Sequence, residues 1–231
     1  MTERGLSGPR LVVAAAAGVM ALVAAILSTP HPGESELRVT LRVTALVSAT
    51  FFLAAFTASA WQRLRPTPTT RWLLRNRRYL GLSFAASHLV HGLAILALAR
   101  RLPGGWGALP PTTLAGGGAG YAFIAAMAAT SNDRAVAALG RWWHRLHTTG
   151  VYVLWFIFTF TYAGSAAVSP FHALLTAAFL AALGLRLAAR SSARRSVAPS
   201  APPEPPMRGA QSRGSRRRIA REAGRGRSWL S

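Results

Sequence analysis

Two His-x-x-His pairs are the residues of this chain best suited to chemistry. His88 and His91 lie in the apolar stretch RRYLGLSFAASHLVHGLAILAL, and His144 and His147 begin another, LGRWWHRLHTTGVYVLWFIF. Residues three positions apart share one face of an α-helix, so each pair presents two imidazoles in one direction. Histidine inside lipid is costly and needs a partner, which makes such pairs an indication of a functional site. Imidazole nitrogens suit haem iron or a divalent metal, and haem is the better candidate here.

The composition predicts an integral membrane protein. Of the 231 residues, 51% are hydrophobic and 14% are charged, whereas a soluble domain carries about 25% charged residues. The formal net charge is +21, and the arginines fall between the apolar runs and near the C-terminus, which does not indicate a nucleic-acid partner. The absence of cysteine excludes disulfides, iron–sulfur clusters and cysteine nucleophiles.

Six apolar runs have about the 20 residues that an α-helix needs to cross a bilayer. They cover residues 11–27, 43–61, 79–98, 113–130, 146–167 and 170–189. Gly116 and Gly120 give the fourth run a Gly-x-x-x-Gly face for close helix contact. The predicted fold is therefore all-α, an integral membrane bundle of six transmembrane helices.

The distribution of arginine predicts the orientation and the domains. The links 62–78 and 131–145 and the C-terminal residues are rich in arginine, whereas the opposite links hold few, so both termini are expected in the cytoplasm. This is the pattern of a multi-pass protein of the inner (cytoplasmic) membrane. Residues 1–190 form the predicted transmembrane domain, and residues 191–231 a disordered basic tail rich in Arg, Pro and Ser.

Depth in the membrane separates the two histidine pairs. With the arginines before each run taken as the cytoplasmic boundary, His91 lies about 20 Å into the membrane and His147 only about 3 Å, at 1.5 Å per residue. The level of His91 on the fifth span falls near residues 158–160, which include no histidine. His172, near the outer start of the sixth span, is closer in depth to His91 than either histidine of the second pair.

Two motifs resemble the ferric-reductase-like transmembrane family, most closely the haem-binding membrane subunit of the bacterial periplasmic methionine-sulfoxide reductase system. RRYLGLSFAASHLVH resembles its Arg-Arg-x-Leu-Gly-Leu…His signature, and TSNDRAVAALGRWWHRLHTTGVY resembles its Thr-Ser…Leu-Gly…Trp-x-x-Leu-His…Val-Tyr stretch. The match covers spans two to six in order. The resemblance implies haem b, with His91 and His147 as ligands of the iron and with His88 and His144 as additional histidines of the cofactor site.

One position departs from the family pattern. The family carries another ligand histidine 13 residues after the one that His147 matches, and this chain has Phe160 there. Three alternatives follow: a substitute ligand such as His172, an open coordination position, or a different haem content. The expected content is accordingly one haem b, two, or none.

The predicted function is that of a b-type-cytochrome-like protein that passes electrons through haem held between the third and fifth spans. No flavin or nicotinamide domain is present, so a separate reductase or membrane quinol is the expected donor and an extracytoplasmic protein the expected acceptor. Membrane lipid is the other expected partner, and no catalytic nucleophile stands out, which leaves open whether the chain belongs to an oxidoreductase. The alternatives are a Zn or Cu transporter that uses both His-x-x-His pairs, and a haem-free structural or assembly protein, which Phe160 favours.

Overall fold

All regular structure in the described part of the chain is helical. The computed structural model describes residues 6–108 and 111–196. The α-helices there are α1 (Pro9–Leu27), α2 (Glu34–Leu64), α3 (Pro68–Arg75), α4 (Arg77–Ala99), α5 (Pro111–Ala129), α6 (Asp133–Leu139), α7 (Arg141–Ala163) and α8 (Pro170–Ser196), with a 3₁₀ turn at Gly105–Ala108. Proline opens α1, α3, α5 and α8, because its fixed φ suits the first helical position and its missing N–H is not needed there.

Several helices have the length and composition of membrane spans. Four of the described segments are long and apolar enough to cross a bilayer, namely α1, α2, α4 and residues Pro170–Ser192 of α8. α5 has a shorter apolar stretch, Leu114–Ala129. α7 has 23 residues, but arginine, histidine and threonine in its first half lower its mean hydropathy. An all-helical chain of this kind is typical of a membrane protein.

Two helices extend beyond the apolar runs predicted from the sequence. α2 begins nine residues before the predicted run, since Glu36 accepts a hydrogen bond from the Gly33 amide (2.7 Å) and caps the helix. α8 continues to Ser196, so the first residues of the predicted tail are helical. The rest of that tail, residues 197–231, lies outside the described residues.

Two short helices, α3 and α6, lie in links where no helix was predicted. Their signal is in the caps: Thr67 Oγ1 accepts from the Thr70 amide (3.2 Å), and Asn132 Oδ1 accepts from the Ala135 amide (2.8 Å). Gly140, with φ 47°, turns the chain from α6 into α7. α6 also places Asp133 beside Arg78, the second residue of α4.

Hydrogen bonds between distant segments fix which connections share an end of the bundle. The Gly8 amide donates to Asn76 Oδ1 (2.9 Å) and Trp72 Nε1 to the Leu6 carbonyl (3.2 Å), so the start of α1 meets the α2–α4 connection. At the opposite end Arg101 donates to the Pro32 carbonyl (2.6 Å). The N-terminal segment and the first arginine-rich link therefore lie together.

A cluster of aromatic rings forms the core where α2, α4, α7 and α8 meet. The Phe52 ring lies 5.4 Å from Phe84, 5.5 Å from Phe158 and 5.8 Å from Phe179, centroid to centroid. Trp155 Nε1 also donates to the Phe179 carbonyl (2.8 Å), which ties α7 to α8. This aromatic core separates the two histidine pairs.

α5 packs against α7 through glycine, although the predicted Gly-x-x-x-Gly face is used only in part. Gly120 is buried beside Ile157 and Leu154, whereas a Cβ added at Gly116 would meet open space. The closer approach is at Gly150 of α7, which lies against Met127 and Phe123 of α5. The Gly-x-x-x-Gly pattern correctly indicated that α5 packs closely on another helix. It did not identify Gly150 of α7, where the two helices approach most closely.

Candidate functional site

The first histidine pair is packed between α2, α4, α5 and α7. The His88 and His91 rings stack with centroids 5.1 Å apart, and His88 also stacks on Tyr121 at 5.0 Å. The Tyr121 hydroxyl donates to the His88 carbonyl (3.1 Å), and Phe158 lies edge-on to the His88 ring at 5.4 Å. The depth estimate from the sequence placed His91 level with residues 158–160, and in the structure Phe158 is a neighbour of His88, one turn away from His91.

His91 is oriented by a threonine of α2. Thr44 Oγ1 donates to the Thr40 carbonyl (2.7 Å), so its bond to His91 Nδ1 (2.9 Å) is one that the imidazole N–H donates. This tautomer keeps the lone pair on Nε2, the arrangement that second-shell bonds impose on histidine ligands. One turn further along, Ser48 donates to Ser87 (2.9 Å), since Ser87 donates to the Phe84 carbonyl.

The α2–α4 interface is therefore a polar seam of buried hydroxyl groups, Thr44, Ser48, Ser83 and Ser87, with His91 at its end. Among the described residues, Ser83 Oγ and His88 Nδ1 are the buried side-chain atoms that lack a hydrogen-bond partner. Interhelical bonds of this kind hold membrane helices together, because no lipid group can replace them.

We expect Thr44→Val to destabilise the bundle by about 0.6–1.7 kcal/mol, because it removes the interhelical bond to His91 at nearly constant volume. Thr50→Val on the same helix is the matched control, since Thr50 is exposed and bonds only to the Leu46 carbonyl within its own helix. Thermal unfolding in detergent measures both. Equal losses in the two variants would show that the Thr44–His91 bond contributes nothing.

The second pair lies at the arginine-rich start of α7. His147 stacks on Trp143 with centroids 4.1 Å apart. Thr130 Oγ1 donates to the Ala126 carbonyl (2.7 Å), so it accepts the bond from His147 Nε2–H (3.0 Å). Trp143 Nε1 donates to the Thr130 carbonyl (2.8 Å), which fixes the end of α5 against α7. His144 is exposed and lies edge-on to Trp143.

A cavity of about 370 Å³ opens beside His147. Its volume is within the range of about 300–1,000 Å³ that small-molecule and cofactor sites occupy. Apolar side chains form much of its wall, among them the buried Phe52, Phe84 and Leu154. Its polar lining is basic and comprises Arg77, Arg78, Arg186, His144 and His147, beside Ser131 and Thr148.

Arg77 and Arg78 come from the arginine-rich link 62–78, whereas the sequence alone did not single out Arg186. Arg186 lies on α8, more than a hundred residues away, where its guanidinium stacks over the Phe56 ring at 4.3 Å. Its position within an apolar run, where charge is rare, is the signal that could have found it. Arg78 pairs with Asp133 of α6 (2.6 Å), and this ion pair lowers the pKa of Asp133.

The structure does not bring His91 and His147 together. His147 lines the cavity and His91 does not. Phe158, the neighbour of His88, lies eleven residues beyond His147 on α7, which is about 16 Å along the helix. One iron holds two imidazole nitrogens only a few ångströms apart, so His91 and His147 do not fit as the two axial ligands of a single haem.

Phe160 and His172 lie apart from both pairs. Phe160 is 71% exposed and stacks on Phe156 on the outer face of α7. Eleven residues complete about three helical turns and 13 do not, so Phe158 shares the face of His147 and Phe160 does not. His172 bonds to Ser169 (2.8 Å), and no described contact joins it to His88 or His91.

The residues present fit a haem held through His147. Two imidazoles line the cavity, that of the partly buried His147 and that of the exposed His144, together with apolar walls and guanidinium groups. If His147 bound iron through Nε2, it would lose its hydrogen bond to the Thr130 hydroxyl. That hydroxyl would still donate to the Ala126 carbonyl and so would not be left unpaired. Within the described ranges, no group of three His, Asp or Glu side chains assembles as a metal site.

In the part of the chain that the structure describes, the fold is all-helical, and a basic, largely apolar cavity lies at one end of the bundle. Comparison of the chain with family models, curated proteins and solved structures finds no match. The resemblance to the ferric-reductase-like family therefore remains a prediction, carried by the two motifs alone.

Proposed function

We propose that this chain is a six-span electron-transfer protein of the inner membrane, with both termini in the cytoplasm and with one haem b in the cavity between α4 and α7. The observation that supports this proposal best is the position of His147, in the wall of a basic cavity with apolar lining. Bound haem supplies a one-electron carrier whose potential the surrounding protein sets.

The contacts of the second pair support a proposed role for each of several residues around the cavity. The imidazole of His147 is the proposed ligand, and Trp143 holds its ring plane by stacking at 4.1 Å. Phe84 and Leu154, both buried, exclude water from the apolar side. His144 is an exposed neighbour of the site and not a ligand.

Six spans follow if α5 and α7 cross the membrane with the four more apolar helices. α5 and α7 pack on each other at Gly120 and Gly150, and α7 is tied to α8 through Trp155. Six crossings place both termini and the arginine-rich links on one side, which the positive-inside rule assigns to the cytoplasm. A separate reductase or quinol then donates at that side, and an extracytoplasmic protein accepts.

Vesicles that contain the purified chain, with ferricyanide inside and dithionite outside, test electron transfer directly. We expect haem-loaded protein to bleach the ferricyanide at least about tenfold faster than protein without haem. The haem-free preparation is the control for leakage through the lipid. Equal rates would contradict electron transfer and would favour a structural role.

A further inference from the structure

Two arginines that are far apart in the sequence lie at the same cavity. Arg77 is the first residue of α4, Arg186 lies in α8, and both line the cavity. They are close enough for their charges to repel each other. Like charges beside a low-dielectric wall are unfavourable unless an anion lies between or near them.

The described residues supply no such anion. The lining of the cavity includes no carboxylate. Asp133 pairs with Arg78, the third arginine of the lining, and offsets its charge. The charges of Arg77 and Arg186 are not offset by Asp133. The cavity thus carries a positive charge that the described part of the protein does not balance.

Arg186 is positioned firmly while most of its donors stay available. Its Nη1 donates to the Phe56 carbonyl (2.6 Å), and the guanidinium lies 5.3 Å from the Tyr152 ring centroid. Guanidinium has five N–H donors, and the carbonyl takes one of them. A planar fork held in this way suits the paired oxygens of a carboxylate or phosphate.

We infer that Arg77 and Arg186 form an acid-binding subsite, and that the ligand of the cavity is an amphiphile with a carboxylate or phosphate at one end of an apolar body. The apolar body lies against Phe52, Phe84 and Leu154, which the same cavity exposes. The two carboxylates of haem meet this description, and so does the phosphate of an anionic lipid. The inference goes beyond the proposed function, because it holds for either ligand.

The first arm of the test compares hemin with hemin dimethyl ester, which lacks the free acids. We expect the wild-type chain to bind hemin at least about tenfold more tightly, the effect of one charge-assisted hydrogen bond. Arg77→Gln/Arg186→Gln should reduce the preference to less than about twofold. Arg63→Gln/Arg71→Gln is the matched control, since these arginines lie at the same end of the bundle and outside the cavity lining.

The second arm measures lipid retained by the purified chain, using mass spectrometry after exchange into mixed phosphatidylglycerol and phosphatidylcholine. Loss of phosphatidylglycerol in Arg77→Gln/Arg186→Gln, but not in the control, supports the acid-binding subsite even if hemin does not bind, and in that case the haem function fails alone. The inference would be overturned if hemin and its dimethyl ester bound equally well and if all three proteins retained the same amount of phosphatidylglycerol. In that case the proposed haem function would still stand. Thermal unfolding confirms that each variant is folded.

Discussion

His147→Ala is expected to abolish the haem absorbance of the chain, whereas His144→Ala leaves it in place. The two histidines lie one turn apart on α7 and both line the cavity. His147 is partly buried and stacks on the Trp143 indole, whereas His144 is exposed. Removal of the ligand should weaken hemin binding by more than the 10–100-fold, roughly, that loss of a supporting residue costs.

His91→Ala distinguishes the ligand that the structure favours from the ligand that the family resemblance implies. The resemblance makes His91 a ligand, but the structure keeps it outside the cavity, against Thr44. His91→Ala should therefore retain the Soret band and lose some stability. A Soret band that survives His147→Ala and disappears in His91→Ala would reverse the assignment of the ligand. Circular dichroism and thermal unfolding show whether each variant remains folded.

Gly150→Leu is expected to disrupt the packing of α5 on α7. A Cβ at this position would overlap the Met127 sulfur and lie 3.2 Å from the Phe123 ring. Overpacking of this kind costs about 1–3 kcal/mol or more, which exceeds the gain of about 1 kcal/mol in helix propensity over glycine. Since His147 lies one turn before Gly150, the cavity should open and hemin binding should weaken too.

Gly116→Leu is the matched control for Gly150→Leu. Both glycines are helical, and a Cβ at Gly116 meets nothing within 4 Å. Thermal unfolding in detergent should show a large loss for Gly150→Leu and little change, or a gain, for Gly116→Leu. Similar unfolding temperatures for the two variants would contradict the close approach of α5 and α7.

Hydrophobic patterning was sufficient to predict the helices of the bundle. Runs of alanine, leucine and valine predicted the positions of α1, α2, α4 and α8, because apolar composition over about 20 residues leaves the backbone no partner but itself. It did not predict α3 and α6, whose sequences are too short for this signal. Their caps at Thr67 and Asn132 were visible in the sequence but decide a helix only with tertiary support.

The sequence predicted which histidines lie apart along the helices, but it did not predict which residues of other helices contact them. The depth estimate correctly separated the His88 and His91 pair from His147, since rise per residue is a local property. The partners of each histidine, Thr44 and Thr130, lie on other helices. No spacing along the chain specifies which helix faces which. The same is true of Arg186, whose place in the cavity depends on α8 packing against α2 and α7.

Titration of the folded chain with hemin in detergent, followed through the Soret band, tests the central claim most directly. The claim is that His147 binds haem iron in the basic cavity. We predict a shifted Soret band that saturates at one hemin per chain, changes on reduction with dithionite, and is absent in His147→Ala. A spectrum identical to that of free hemin in the same detergent, with the chain shown to be folded, would contradict it.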